Sequence, residues 1–152
     1  MTQKTGRAVG LDVGTKTIGV AISDPLGLIA RPVRTLSRQG VNKDAAALAA
    51  ICAAQEVRHL IVGLPLELDG TESRSARLAR QIGEALGALT GLKPVYIDER
   101  FTSVEATERL IEQNVSRARR KQIIDQEAAV IILQSWLDHG DWSRIDADEG
   151  GA

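Results

Sequence analysis

The feature that most constrains this chain is the segment from Arg7 to Asp24, RAVGLDVGTKTIGVAISD. Apolar residues stand before and after a glycine-containing turn, which predicts two buried strands paired as a hairpin. Asp12 ends the first of these strands, and burying a carboxylate in an apolar hairpin is costly unless something pairs with it. Asp12 either accepts turn hydrogen bonds from Gly14 and Thr15, as Asp residues often do, or it binds a ligand.

Glycines surround this carboxylate. Gly10, Gly14 and Gly19 remove side-chain bulk on both sides of Asp12. Because glycine has no side chain, a bulky phosphate group or a second backbone can approach closely. The hairpin is therefore expected to meet one of these two.

Composition indicates an ordinary folded protein of one domain. Lys and Arg total 19 against 20 for Asp and Glu in 152 residues, so the net charge alone does not indicate nucleic-acid binding. The single cysteine, Cys52, excludes an intramolecular disulfide and a CxxC zinc site. No apolar run approaches the roughly 20 residues of a membrane span, and MTQKTGR does not resemble a signal peptide. We expect a cytoplasmic protein without membrane contact.

The order of the predicted elements indicates an α/β fold. Three strands joined by tight turns are followed by two strands reached through helical crossovers, which predicts a five-stranded mixed sheet with helices on both faces. Pro32 places the third strand at a sheet edge, and Asn42 is the expected cap of the first helix. After the hairpin we predict strands over residues 28–36, 59–63 and 95–98, and helices over 43–56, 73–89, 102–113 and 122–139. The nuclease domain inferred below covers residues 1–140, and an acidic, weakly ordered tail covers 141–152.

Acidic residues from distant segments are expected to meet at one edge of this sheet. Ligands of such sheets bind at the carboxyl ends of the parallel strands. Asp12 ends the first strand, Asp98 and Glu99 end the fifth, and Asp125 stands in the first turn of the last predicted helix. Alone, Asp125 has a simple explanation, because acidic residues favour helix N-termini.

Carboxylates brought together repel one another unless a divalent cation lies among them. Hard oxygen ligands select Mg²⁺ or Mn²⁺. Two such ions can hold a phosphodiester, activate a water molecule and stabilise the leaving oxygen. The pattern therefore predicts a nuclease, a hydrolase with a two-metal mechanism, whose catalytic residues and metal ligands are Asp12, Asp98, Glu99 and Asp125.

A basic connector, residues 114–121, stands just before Asp125. Its cations could hold the phosphates that flank the cleaved bond, or they could be an ordinary solvated loop. The predicted nucleic-acid-binding residues are Lys16, Arg100, Arg117, Arg119, Arg120 and Lys121.

Four segments carry a family resemblance. They are GLDVGTKTIGVAISD, VGLPLELDGTES, YIDERFTSVEA and IDQEAAVIILQSWL. In order and spacing they resemble the YqgF/RuvX family, whose members are ribonuclease H-like proteins described as Holliday junction resolvases and as nucleases that mature pre-16S ribosomal RNA. The resemblance covers about residues 7–139.

The resemblance implies a ribonuclease H-like nuclease that processes the 5′ end of the pre-16S ribosomal RNA precursor. Its acidic positions fall on Asp12, the Asp98–Glu99 pair and Asp125. One departure from the better-known junction resolvases is that the fourth strand ends in Gly63 and Leu64 without an acid. The second metal ligand must therefore come from the fifth strand.

Three alternatives remain open from the sequence. Residues Asp12 to Lys16 resemble the phosphate loop of actin-like ATPases, although those enzymes close two domains around the nucleotide. A non-catalytic RNA-binding module would bind without Mg²⁺, by backbone and shape recognition because aromatic content is only 3%. Within the nuclease reading, branched DNA remains an alternative to RNA, and a monomer an alternative to a homodimer.

Overall fold

A computed structural model of the chain describes residues 6–99, 117–140 and 144–145, with the backbone alone for residues 117–126 and 144–145. Arg100 and the helix predicted over residues 102–113 lie outside the described residues. The strands are β1 (Arg7–Val13), β2 (Thr17–Ser23), β3 (Ala30–Ser37), β4 (Val57–Leu64), β5 (Pro94–Asp98) and β6 (Arg144–Ile145). The helices are α1 (Val41–Ala54), α2 (Arg74–Thr90) and α3 (Arg117–His139).

One mixed sheet has the strand order β3-β2-β1-β4-β5-β6. The pairs β1–β2 and β2–β3 are antiparallel, whereas β1–β4 and β4–β5 are parallel. The five predicted strands and their directions are therefore confirmed, including the edge position of β3. The predicted number of strands is one too low, because Arg144 and Ile145 pair antiparallel with β5. A two-residue strand has no periodicity that could reveal it, and it lies within the segment expected to be weakly ordered.

Helices cover both faces of the sheet, as predicted. The face that carries Leu11 and Val62 packs against α1 and α2, and the face that carries Ala21 and Ile61 packs against α3. In α2, the hydroxyl of Ser73 caps the helix by accepting a hydrogen bond from the backbone of residue 76. No helix in the described ranges is long and apolar enough to cross a membrane.

The predicted cap of α1 is wrong. The helix begins at Val41, and its N-cap is Gly40, so Asn42 lies inside the first turn. Gly40 has φ 116°, a backbone conformation that side chains rarely permit. The chain direction at this glycine starts the helix two residues before the polar side chain could cap it.

Gly10 allows α3 to approach the sheet. A Cβ atom built on Gly10 would lie 2.6 Å from Cβ of Leu133 and 3.0 Å from the carbonyl oxygen of Ala129. The space that the glycines of the hairpin leave is thus filled by another backbone. We expect Gly10→Ala to lower the free energy of unfolding by about 1–3 kcal/mol, because a helix must move. Urea denaturation would measure this, and unchanged stability would contradict the close contact.

Candidate active site

Asp12, Asp98 and Glu99 lie at the same edge of the sheet. Asp12 follows Leu11, which pairs with Val62 across the parallel β1–β4 ladder. Asp98 is the last residue of β5 and pairs with Leu64 at the end of β4. Because β1, β4 and β5 are parallel, their carboxyl ends coincide, as expected from the sequence.

Glu99 reaches across β4 towards β1. A Cβ atom built on Gly63 would lie 3.0 Å from both Cγ and Cδ of Glu99. The side chain of Glu99 therefore occupies the place of the side chain that Gly63 lacks, and it shares a hydrogen bond with the carboxylate of Asp12. The absence of an acid at the end of β4 now has a physical reason, because a carboxylate from beyond β5 fills that position.

The electrostatics of Glu99 reflect this crowding. Burial raises the pKa of Glu99 from 4.5 to about 8, and the charge of Asp12, the hydrogen bond to Asp12 and the charge of Asp98 raise it further in the same direction. Asp98 is itself buried, with 4% of its surface exposed. At neutral pH the Glu99 carboxyl therefore retains a proton, which it donates to Asp12.

Among the described side chains, no three acidic, His or Cys groups form a ready-made metal cage. The backbone of Asp125 lies in α3, and its side chain is outside the described part of the chain. Residue 125 precedes Ala129 by four positions, so both stand on the same helix face. Ala129 lies against the hairpin, with its Cβ 3.6 Å from a Cβ atom built on Gly19.

Comparison with known proteins decides the family. The family model described as RuvX, Holliday junction resolvase, matches residues 6–139. The chain belongs to the RuvX family. A protein of Myxococcus xanthus is 48% identical over 132 residues, covering 87% of each chain. One of Moorella thermoacetica is 46% identical and covers 87% of this chain and 94% of its own. Both bear the name "Putative pre-16S rRNA nuclease".

Solved structures support the fold of this RuvX-family chain. Thermus thermophilus RuvC in complex with a Holliday junction substrate superposes with a TM-score of 0.53 at 14% identity. The match covers 92% of this chain and 99% of RuvC. The ribonuclease H-like fold implied by the four sequence segments is confirmed, which also disfavours the actin-like alternative.

The predicted basic residues fall into three groups in this RuvX-family structure. Lys16 is exposed in the turn between β1 and β2, beside the acidic edge. Arg100 lies outside the described residues. Arg117, Arg119, Arg120 and Lys121 lie in α3, so the prediction that they form a connector before the helix is wrong. Arg and Lys have favourable helix propensity, so a run of positive charge does not by itself prevent a helix.

The helix start also changes the position of Asp125. As described, α3 runs from Arg117 to His139. Asp125 is therefore the ninth residue of the described helix and does not lie in its first turn, as the sequence predicted. The dipole of the helix N-terminus then no longer explains an acid at this position.

Two ion pairs near the site were not predicted from the sequence. Arg38 binds Asp44 with 2.6 Å between Nε and Oδ2, and it holds the turn that follows Asp12, as described below. Arg80 binds Glu72 with 2.6 Å between Nη2 and Oε2. No periodic pattern marks either pair, because each joins a loop residue to a residue several positions away.

Arg80 connects the loop after β4 to β5. Its guanidinium carbon lies 4.8 Å from the centre of the Tyr96 ring, and its Nε donates to both carboxylate oxygens of Glu72 at 2.8 and 2.9 Å. The hydroxyl of Tyr96 donates to Glu84 at 2.7 Å. Tyr96 stands two residues before Asp98, so this network stabilises the strand that carries the buried acid.

Proposed function

We propose that this protein is a metal-dependent nuclease that hydrolyses phosphodiester bonds in the precursor of the small-subunit ribosomal RNA, at its 5′ end. The observation that carries the proposal is the position of Glu99, which crosses β4 to share a hydrogen bond with Asp12. A buried group of like charges at the ligand-binding edge of the sheet weakens folding and therefore calls for a function.

Mg²⁺ or Mn²⁺ fits this donor set. The raised pKa of Glu99 records carboxylates that are short of positive charge, and a bound cation supplies that charge. The residues that would hold it are Asp12, Asp98, Glu99 and Asp125. The bound ions would activate a water molecule and stabilise the leaving oxygen.

The register of α3 supports the inclusion of Asp125. Leu133 lies against Gly10 and Ala129 against both Gly10 and Gly19, so successive turns of α3 run along β1 towards Asp12, which pairs with Gly19. One further turn, about 5.4 Å, carries residue 125 towards the acidic edge.

The residues around the carboxylates would bind the polynucleotide and orient it. Lys16 stands beside the acidic edge, and Arg117, Arg119, Arg120 and Lys121 begin the helix that carries Asp125. With Arg100 they would contact phosphates on either side of the cleaved bond, which positions a chain without reading its sequence. The fixed Asp12–Glu99 pair keeps the ligands at short range, so little reorganisation is needed when a cation binds.

The substrate proposal rests on the names of the relatives, and the description of the family supports a second candidate. Relatives that share almost half of this sequence carry a pre-16S rRNA name, which favours RNA. The family model is described as a Holliday junction resolvase, which favours branched DNA. We place the protein in the cytoplasm, where either substrate is found, as a monomer or homodimer.

One experiment separates these functions. Purified protein is incubated with matched single-stranded RNA, pre-16S RNA, duplex DNA and four-way-junction DNA, each with Mg²⁺, Mn²⁺ or chelator. We expect cleavage of the ribosomal precursor only when a divalent cation is present. Cleavage of the junction alone would support the resolvase. Binding without cleavage under every metal condition would identify a non-catalytic RNA-binding module.

The basic start of α3 gives a separate prediction. Replacing Arg119, Arg120 and Lys121 together by Ala should weaken RNA binding to a similar extent for all sequences. The slope of log Kd against log salt should also become smaller, because each lost phosphate contact releases fewer counterions, by roughly one unit per contact. Filter binding in chelator over a salt series measures both. Unchanged affinity at low salt would show that this run is only a solvated surface.

A further inference from the structure

Arg38 holds the turn between β1 and β2 at two points. Its Nη1 donates a hydrogen bond to the carbonyl oxygen of Gly14 at 2.9 Å. Its backbone N–H donates to the carbonyl oxygen of Lys16 at 2.9 Å. The turn's own hydrogen bond runs from the N–H of Gly14 to the carbonyl of Thr17 at 2.8 Å. Arg38 thus fixes both ends of the three residues that separate β1 from β2.

Asp44 holds Arg38 in turn. Its Oδ2 lies 2.6 Å from Nε of Arg38, and its Oδ1 accepts a hydrogen bond from the backbone of Gln39 at 2.9 Å. The side chains of Arg38 and Asp44 are only 11% and 4% exposed. A buried ion pair has to be well hydrogen-bonded to offset its desolvation, and the contacts with Gly14 and Gln39 meet that requirement.

We propose that Arg38 and Asp44 are positioning residues that orient Lys16 towards a phosphate group of the bound polynucleotide. The inference rests on the proposed function, in which Lys16 contacts nucleic acid. A lysine is a point charge on a flexible stem, so the place of its ammonium group depends on how firmly the backbone beneath it is held. Arg38 itself is too buried to serve as the main phosphate contact.

Asp44→Asn tests the proposal through the direction of its effect. Removal of a negative charge should tighten binding of a polyanion if only the net charge matters. Loss of the anchor of Arg38 should weaken it, since the turn that carries Lys16 is released. We expect Kd for RNA, measured in chelator, to rise about threefold to tenfold, as for the loss of one charge-assisted contact.

The matched control is Asp24→Asn. Asp24 also braces a turn, because its carboxylate accepts hydrogen bonds from the backbone of Leu26, Leu28 and Ile29 at 2.7 to 3.1 Å. That turn joins β2 to β3 at the opposite edge of the sheet. Asp24→Asn should therefore lower the melting temperature without raising Kd.

Two further variants separate positioning from direct contact. Arg38→Lys keeps the charge but cannot bind Asp44 and Gly14 together, so positioning predicts that it binds RNA as weakly as Arg38→Ala. In a Lys16→Ala background, Arg38→Ala should change Kd by less than twofold, because residues that act through one another are not additive.

Each failure has its own signature. If Lys16→Ala leaves Kd unchanged, the proposed nucleic-acid contact of Lys16 is wrong, and the inference falls with it. If Lys16→Ala weakens binding but Asp44→Asn does not, the nuclease proposal stands and the positioning role is rejected. Full binding by Arg38→Lys would show instead that Arg38 acts by its charge.

Discussion

Asp12→Asn should reduce cleavage by at least about a hundredfold to a thousandfold while the protein remains folded. Asparagine nearly preserves the shape of aspartate but removes the charge that a cation would bind. The chain keeps its hairpin, because β1 and β2 pair through their backbones on both sides of this residue. RNA binding in chelator should persist. Single-turnover cleavage, filter binding and thermal melting on one preparation give the three measurements.

The stability of this variant has a predicted pH dependence. In the folded state the pKa of Glu99 is raised from 4.5 to about 8, so without metal the folded wild type binds more protons than the unfolded chain between these values. Its stability should therefore fall as the pH rises from about 4.5 to about 8. Asp12→Asn removes one cause of the raised pKa, so its loss of stability over this range should be smaller.

The opposite pattern would reject the catalytic role. If Asp12 only braces its turn, the change to Asn should cost roughly 1 kcal/mol of stability and leave metal-dependent cleavage intact. A variant that melts early but cleaves normally would make Asp12 a structural residue. The nuclease assignment would then have lost its central carboxylate.

Gly63→Ala is expected to damage activity far more than stability. The added methyl group would meet Ile132 and the carboxyl end of Glu99, with both Cγ and Cδ of Glu99 3.0 Å away. Both neighbours are ends of side chains that can move, so the free energy of unfolding should fall by only about 1 kcal/mol. Glu99 would have to move away from Asp12, and cleavage should fall at least tenfold, because a displacement of about 1 Å can cost a hundredfold in rate.

Gly19→Ala is the matched control for this change. It also adds a methyl group beside the acidic edge, but its Cβ would lie 3.7 Å from Cβ of Asp12 and 3.6 Å from that of Ala129, which is ordinary contact. We expect near-normal cleavage from Gly19→Ala. Equal activity of the two alanine variants would show that the position of Glu99 above Gly63 does not matter to the reaction.

The sequence predicts the frame of this site better than its detail. Alternation and turn residues locate β1, β4 and β5, and the rule that parallel strands end at one edge then brings Asp12 and Asp98 together. The path of Glu99 over Gly63 could not be predicted, because a missing side chain on one strand does not indicate which neighbour will fill its space. Arg38 and Asp44 were missed for a related reason, since their partners are backbone groups of a turn that no sequence pattern marks.

The errors at helix starts have a common physical origin. Asn42 has the right chemistry for a cap, but the backbone at Gly40 begins α1 earlier. The basic run was taken for a connector on the basis of its charge, although its residues favour helix. In both cases a local side-chain preference was outweighed by the conformation of the backbone around it.

The order in which the strands are made along the chain has a consequence for the cell. β1, β2 and β3 are joined by short turns and can pair as soon as they leave the ribosome, whereas β4 and β5 must wait for their crossover helices. Asp12 is thus available early, but Glu99 arrives only after the fifth strand and α3 later still. A growing chain therefore cannot assemble the carboxylate group, and a nuclease built in this way stays harmless to the RNA around it until its synthesis is nearly complete.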